Sequence, residues 1–394
     1  MGLAKNDYIT CEERGFYHCS HLVCRDCIGN KPLVRYIADN GFMSTCHYCG
    51  KRRKVVELED LMKIIMSGIK FQYEDAENNI FDNEYSCNTY TTEELIRWEL
   101  YDELQITNEE LLNDICDTMC DRDWCEINPY VERKYETELY SWHSFCDLVK
   151  YKMRYVFYKG NNVVKNYDLS NPVDILETID AYVQLLKLIR RVPVNTKIYR
   201  GRLHNKNEVL TNSNEFGPPP IEYAKANRMS AEGIPLFYAA YDEETVLKEI
   251  DNGGSETATI ASFNVKRPLT VLDLSKLKNM KLPSIFDEKE RGKRSSILFL
   301  KSFAEEISKK VDKLPTIEYI PTQIVTEYFR YVFKSEMYGD IDGIVYNSSQ
   351  NEKGYCIVLF MDYDSYKNNE KCMVDKSKIK LSHYKKQFLT TIVE

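Results

Sequence analysis

The chain has 394 residues, of which 43% are hydrophobic and 29% charged, a composition typical of a folded globular protein with more than one domain. Its formal net charge of -8 at pH 7 provides no general basic surface and disfavours nucleic acid as a partner. No apolar run is long enough to span a membrane and no signal-peptide pattern is present, so we expect a cytoplasmic protein that does not bind membranes.

Two Cys-x-x-Cys pairs mark the first part of the chain. Cys24 and Cys27 form one pair, and Cys46 and Cys49 form the other. Each pair can present two thiolates from a tight turn, and four thiolates complete the tetrahedral shell of a closed zinc site. We therefore predict a structural zinc ion that contributes folding free energy and has no open position for chemistry.

Further residues of metal-binding type lie just upstream of these pairs. They are Cys11, His18, Cys19 and His21. Any of them can replace one of the four cysteines or bind a second metal ion. The ligand choice therefore stays open at this point, with the four-cysteine set preferred because it is already complete.

The next part of the chain has the pattern of a helical domain. Helix starts are predicted at Thr92 and at Asn108, each followed by apolar residues at helical spacing. The region lacks the closely spaced Arg and His of the HEPN ribonucleases, since His143 has no suitable Arg, so a nuclease is not favoured. We predict a zinc-knuckle module over 1–70, a helical domain over 71–191 and a further domain over 192–394.

The segment from Arg228 to Ile250 carries the strongest chemical signal of the last domain. Arg228 precedes a Gly-Pro turn, a short apolar strand follows with Tyr238 in it, and a helix then carries Glu249. Glu249 lies on the apolar side of this helix, so we expect its carboxylate to enter a partly dry site. A buried carboxylate is costly unless a positive group meets it, and both Arg228 and a cationic substrate are candidates.

Strands and helices flank this segment in the pattern of a mixed α+β domain. A short strand carries Tyr199, Arg200 and Gly201 into a cleft. Further strands are predicted over 257–264, 270–274, 343–346 and 356–360, and a helix over 321–329.

The order of these blocks resembles the RES domain. The blocks are Tyr199-Arg200-Gly201, Gly217 to Pro220, Asn227 to Pro235, Tyr238, Glu249 and Asp342 to Ser349. The cysteine pairs and the helices after them are similar to the HEPN/RES N-terminal domain. The resemblance implies an α+β protein: an N-terminal zinc knuckle and helical domain, followed by a mixed α/β RES domain that is similar to ADP-ribosyltransferases.

The resemblance also implies roles for individual residues. Arg200 and Arg228 correspond to a polar clamp, which suits the pyrophosphate of NAD+. Tyr238 corresponds to an aromatic wall on which nicotinamide can stack. Glu249 corresponds to the catalytic acid, whose negative charge stabilises an oxocarbenium-like ribose.

Ser348 corresponds to the third signature residue of the family, and we expect it to position substrate by hydrogen bonding. RES domains usually have Pro before this Ser, whereas this chain has Asn347. Because Ser349 is adjacent, the choice between Ser348 and Ser349 stays open.

Known RES-domain proteins are toxins that consume NAD+, so the resemblance implies an NAD+-degrading enzyme. We expect phosphorolysis or hydrolysis of the nicotinamide–ribose bond by a toxin or phage-defence effector, restrained by an inhibitory antitoxin protein. A protein ADP-ribosyltransferase and a non-catalytic module that senses NAD+ are the alternatives. Glu249→Ala separates an enzyme from a sensor, because only an enzyme loses turnover.

Overall fold

A computed structural model describes residues 13–78, 88–127, 134–159, 174–205, 207–208, 210, 212–251, 257–308, 316–368 and 372–375. These residues belong to two compact units. The first unit takes the chain up to 133 together with 281–295, and the second takes 134–280 and the chain from 296 onward. The three-part division at 70 and 191 stays a prediction.

The first unit combines short helices with two small antiparallel sheets. Its strands are β1 (Leu22–Cys24), β2 (Phe42–Thr45), β3 (Arg52–Glu57), β4 (Tyr73–Asp75), β5 (Tyr90–Thr91) and β6 (Asp123–Glu126). Its helices are α1 (Lys31–Asn40), α2 (Leu58–Gln72), α3 (Thr92–Glu94), α4 (Tyr101–Leu104) and α5 (Glu109–Thr118), with a π-helix over Leu95–Glu99. Strand β3 pairs with β1 and β2, and strand β6 pairs with β4 and β5.

Local sequence signals account for several of these helices. The Asn30 side chain accepts a hydrogen bond from the backbone of Leu33 and begins α1. Thr91 and Glu94 form a capping box at α3, and Asn108 caps α5. The helix starts predicted near 92 and 108 are therefore confirmed.

A segment from the second half of the chain completes the core of the first unit. Ile285 and Phe286 are buried in that core. The Phe286 ring lies so close to Gly68 that a Cβ there would meet its Cδ1 at 2.4 Å. Arg291 donates from Nη1 to the carbonyl oxygen of Ser67 at 2.8 Å. Residues 281–295 thus interrupt the second unit in sequence and pack with the first.

The second unit contains, within the described residues, one eight-stranded sheet. Its strands are β7 (Ile189–Val192), β8 (Lys197–His204), β9 (Phe237–Ala240), β10 (Thr257–Val265), β11 (Leu269–Asp273), β12 (Gly343–Asn347), β13 (Tyr355–Leu359) and β14 (Val374–Asp375). Their order in the sheet is β14-β10-β8-β9-β13-β12-β11-β7. Its helices are α6 (Lys134–Asp147), α7 (Asp174–Leu185), α8 (Glu243–Ile250), α9 (Arg294–Ser308), α10 (Ile320–Tyr331) and α11 (Tyr363–Lys367), with a π-helix over Leu148–Lys152.

Apolar side chains cover both faces of this sheet. One core contains Phe299 and Phe303 of α9 together with Ile344 of β12. A second core contains Phe237 of β9 and Phe263 of β10, whose rings meet edge to face. Strands β11 and β12 pair in parallel and the other neighbours pair antiparallel, so the predicted α+β fold is confirmed. Within the described residues, none of the helices combines the length and apolarity that a bilayer crossing requires.

Candidate active site

A cavity of about 480 Å³ lies in the second unit, where β8, β9 and α8 meet. Its chemically distinctive lining residues are Arg200, Lys225, Arg228, Tyr238, Glu249 and Tyr346. Three cations therefore face the cavity, whereas Glu249 is the one acid among the described lining residues. This balance favours an anionic ligand.

Strand β8 presents Arg200 to the cavity, and the residue is held at one end. Its Nη1 donates to the carbonyl oxygen of Tyr238 at 2.9 Å, and its guanidinium lies 5.1 Å from the ring centre of Phe237. Burial, with a smaller contribution from Arg202, lowers the pKa of Arg200 to about 10, so the group is still a cation at neutral pH. Within the described chain its buried Nε has no hydrogen-bond partner, which leaves a donor for a ligand.

The next residue, Gly201, allows helix α8 to approach the strand closely. A Cβ at Gly201 would lie 2.6 Å from Val246 Cγ1 and 2.7 Å from Ile250 Cδ1. Glycine is therefore required here for packing and not for an unusual backbone angle. This close contact places Glu249, on the same helix, at the cavity that Arg200 lines.

The carboxylate of Glu249 accepts a hydrogen bond from the Ser348 hydroxyl, with 2.5 Å between Oγ and Oε1. The expected partly dry position of Glu249 is wrong, because the residue is exposed. Glu249 therefore lines the cavity while its side chain keeps access to water. Beneath it, burial and then the Glu249 charge raise the pKa of the Cys356 thiol, which therefore stays protonated.

Ser348 itself is buried and its hydroxyl is fully engaged. Its Oγ accepts from the backbone nitrogens of Gln350 and Asn351 at 3.2 and 3.0 Å while it donates to Glu249. Ser348 thus orients the carboxylate and is not poised as a nucleophile. Ser349 is half-buried, and among the described contacts it makes none with Glu249. The geometry favours Ser348 as the site serine.

A tight turn from Asn227 to Ser230 supports Arg228. The two end residues exchange backbone hydrogen bonds of 2.8 and 3.3 Å. From α10, the Gln323 side chain donates to the carbonyl oxygens of Asn227 and Ser230 at 2.8 and 3.1 Å. Thr322 donates to the carbonyl oxygen of Arg228. Neither α10 residue was among the predicted site residues, since a Thr or Gln within a helical pattern carries no signal of a distant turn.

Two tyrosines provide aromatic walls. The Tyr238 hydroxyl lies 3.0 Å from Ser230 Oγ, and burial raises the pKa of Tyr238 to about 12. Burial also raises the pKa of Tyr346 well above its ordinary value. Both rings are therefore neutral phenols that can stack against a flat group. Tyr346 was not among the predicted site residues.

The structure brings the predicted residues to one place. Arg200, Arg228, Tyr238 and Glu249 line the same cavity, and Ser348 joins them through its hydrogen bond to Glu249. Their catalytic and binding roles stay predictions.

The four cysteines of the first unit also form a cluster. Sulfur–sulfur separations are 3.8 Å between Cys24 and Cys27, 3.6 Å between Cys24 and Cys49, and 3.8 Å between Cys27 and Cys46. A tetrahedral ion bound at about 2.3 Å from each sulfur needs sulfurs about 3.8 Å apart. The donor set therefore fits a metal ion such as zinc.

The upstream residues are arranged differently. Cys19, His21 and Asp114 offer ligand atoms within 4.8 Å of one another. Asp114 Oδ2 already lies 2.7 Å from His21 Nδ1 and accepts from the Tyr48 hydroxyl at 2.7 Å. His18 pairs with a different carboxylate, that of Glu59. Cys11 lies outside the described residues.

Two family profiles match the chain. The profile described as HEPN/RES N-terminal domain 1 matches residues 39–163, and the profile described as RES domain matches residues 199–370. The chain contains a RES domain. The two matches confirm the predicted resemblance. Comparisons with curated proteins and with solved structures found no significant match.

The RES domain includes every predicted residue of the cavity, from Arg200 to Ser348. RES domains as a family are associated with enzymes that act on NAD+ and with toxin-like function. The N-terminal match includes Cys46 and Cys49, while Cys24 and Cys27 precede it.

Proposed function

We propose that the cavity of the RES domain binds NAD+ and that the protein breaks the bond between nicotinamide and ribose, with phosphate or water as the acceptor. One observation supports this most directly. Two arginines and Glu249, whose carboxylate accepts a hydrogen bond from Ser348, face a single cavity that also has aromatic walls. The volume of about 480 Å³ is within the usual range for cofactor sites.

The pyrophosphate and the nicotinamide of NAD+ need different surroundings, and the cavity offers both. The guanidinium groups of Arg200 and Arg228 suit the pyrophosphate, because a planar fork of donors matches phosphate oxygens. Lys225 adds a third positive charge beside them. Tyr238 and Tyr346 offer neutral ring faces for the flat nicotinamide.

The proposed reaction requires stabilisation of positive charge on the ribose. The nicotinamide leaves as a neutral molecule with the electron pair of the broken bond, so no proton has to be donated to it. The ribose carbon becomes oxocarbenium-like until a phosphate or water oxygen bonds to it. The Glu249 carboxylate, held by Ser348, stabilises this charge. Water as acceptor then releases one proton to solvent.

We also propose that Cys24, Cys27, Cys46 and Cys49 bind zinc as a structural ion. The sulfur separations support this assignment. Four cysteines fill the coordination shell, so the ion contributes folding free energy to the first unit.

In the cell, we propose that the protein is a cytoplasmic toxin or phage-defence effector held inactive by an antitoxin protein. The support is the family's toxin-like character, since an enzyme that depletes NAD+ has to be restrained.

A time course of NAD+ concentration with purified full-length protein, with and without phosphate, tests the reaction. We expect wild-type protein to consume NAD+ and Glu249→Gln to be slower by a factor of about 10²–10³, the usual loss when a charge-stabilising group is removed. Glu243→Gln, an exposed change on the same helix, is the matched control and should keep wild-type activity.

The products decide between the alternatives. ADP-ribose 1-phosphate indicates phosphorolysis, and free ADP-ribose indicates hydrolysis. Transfer of label from NAD+ to a protein would replace the proposal with protein ADP-ribosylation. Binding of NAD+ without turnover would replace it with a sensor.

A further inference from the structure

A second cavity, of about 810 Å³, lies in the same unit along helix α10. Ile320, Ile324 and Tyr328 of α10 line it, and Tyr155 and Phe157 add aromatic side chains to the lining. Its size and apolar lining are those of a site for a drug-sized molecule. Nothing in the proposed reaction uses it.

The two cavities share a wall. Along one short segment, Lys225, Asn227, Arg228 and Ser230 line the first cavity, whereas Ala226, Ala231 and Glu232 line the second. Gln323 lines the second cavity, and its amide holds both ends of the turn that carries Arg228. A molecule in the second cavity therefore contacts the residues that fix the position of Arg228.

The charged residues of the second cavity indicate the class of ligand that it binds. Glu327 lines it and is half-buried, and in the described part of the chain its carboxylate makes no hydrogen bond or ion pair. Burial raises the pKa of Glu327, with Arg330 opposing, so a cationic ligand would recover solvation that the carboxylate has lost.

The other charged residues of this cavity do not replace such a ligand. The Arg154 guanidinium donates to the carbonyl oxygens of Val149 and Lys150 at 3.5 and 3.2 Å. Glu232 is exposed and adds a second negative charge. Aromatic side chains in the lining favour a cation with an aromatic body, because ring faces attract both flat apolar groups and positive charge.

We propose that the second cavity is a regulatory site for an aromatic amine, with the ammonium group at Glu327 and the aromatic body against Tyr155, Phe157 and Tyr331. Occupancy acts on the turn of residues 227–230 and so changes the affinity of the first cavity for NAD+. The regulatory part rests on the proposed function, while the binding part does not.

Fluorescence titration of the full-length protein with dansylcadaverine, an aromatic primary amine, tests the binding part. We expect saturable binding with a blue shift of emission. Glu327→Gln should weaken binding about tenfold, the effect of losing one charged partner. N-acetylated dansylcadaverine, which is neutral, should bind both proteins equally weakly. Glu336→Gln, an exposed change just beyond α10, is the control and should bind like wild type.

Absence of saturable binding, or equal binding by Glu327→Gln and wild type, would overturn the site. For the regulatory part, NAD+ affinity is measured with and without saturating dansylcadaverine, and we expect a change of at least about threefold that Glu327→Gln removes. Probe binding with unchanged NAD+ affinity would overturn the regulatory part. Failure of NAD+ to bind at all would contradict the proposed function and leave the probe titration as the test of the site.

Discussion

The cysteine cluster and the RES-domain cavity are built in opposite ways. Cys27 and Cys46, whose sulfurs lie 3.8 Å apart, are separated by 19 residues of chain. Ser348 and Glu249, which share a hydrogen bond, are separated by 99 residues, and Gln323 and Asn227 by 96. A site made from two nearby turns is visible in residue spacing. A site whose residues are brought together by a sheet is not, and here the family resemblance was needed to predict its residues.

The largest effect should come from removing one ligand of the cysteine cluster. Cys46→Ser removes one of four ligands, and structural zinc contributes about 10 kcal/mol or more of apparent free energy at neutral pH. We expect metal content per chain to fall and the first unit to lose its cooperative thermal unfolding. Elemental analysis and calorimetry measure both. Cys116→Ser, at a half-buried thiol outside the cluster, should retain the metal. Full metal retention in Cys46→Ser would exclude the four-cysteine site.

The RES-domain cavity should respond to a substitution of Arg200 that keeps the positive charge but alters the geometry of the hydrogen-bond donors. Arg200→Lys retains a cation and loses the planar fork, so we expect kcat/KM for NAD+ to fall about 100-fold, equivalent to roughly 2.7 kcal/mol. Steady-state kinetics measure this. Arg202→Lys, exposed on the same strand, should be unaffected. Equal activity of Arg200→Lys and wild type would show that Arg200 acts only as a charge.

Packing between β8 and α8 offers a way to move Glu249 without replacing it. Gly201→Ala adds a Cβ within 2.7 Å of Val246 and Ile250, so the helix must shift. Overpacking of this kind costs about 1–3 kcal/mol, and we expect NAD+ turnover to fall about thirtyfold. Adding Val246→Ala should restore part of the activity. Gly292→Ala, where a Cβ would have open space, is the control. Unchanged NAD+ turnover in Gly201→Ala would show that the close packing of β8 against α8 does not control the activity.

The smallest effect should come from the hydrogen bond that orients Glu249. Ser348→Ala removes a hydroxyl that serves three partners, and one hydrogen bond contributes about 0.5–1.5 kcal/mol. We expect kcat to fall about fivefold with little change in KM. Ser349→Ala should leave kcat unchanged. A fall of kcat in Ser349→Ala and an unchanged kcat in Ser348→Ala would instead identify Ser349 as the site serine.

The strands and the helix that carry the site were largely predictable from the sequence. The predicted strands over 257–264 and 343–346 and the helix over 321–329 are present, with ends that differ by one or two residues. The RES resemblance supplied Arg200, Arg228, Tyr238 and Glu249, which do meet in one cavity. It left the choice between Ser348 and Ser349 open, and the hydrogen bond from Ser348 to Glu249 favours Ser348.

Other features depended on contacts that the sequence does not display. Glu249 lines the cavity and is nevertheless exposed, which helical periodicity cannot indicate because it shows only which side of a helix is apolar. The support of the Arg228 turn by Gln323 spans 96 residues and joins a loop to a helix. Gly68 carries no sign that Phe286 will cover it, since the two residues come from distant parts of the chain.

Residues 281–295 belong to the first unit, and this affects the order in which the chain can fold during translation. Domains usually fold as they leave the ribosome, the N-terminal one first. Here Ile285 and Phe286, which belong to the first core, are synthesised only after the strands from Ile189 to Asp273. Part of the core of the first unit therefore stays uncovered until Ile285 and Phe286 have been synthesised. A product that terminates before residue 281 contains neither unit complete.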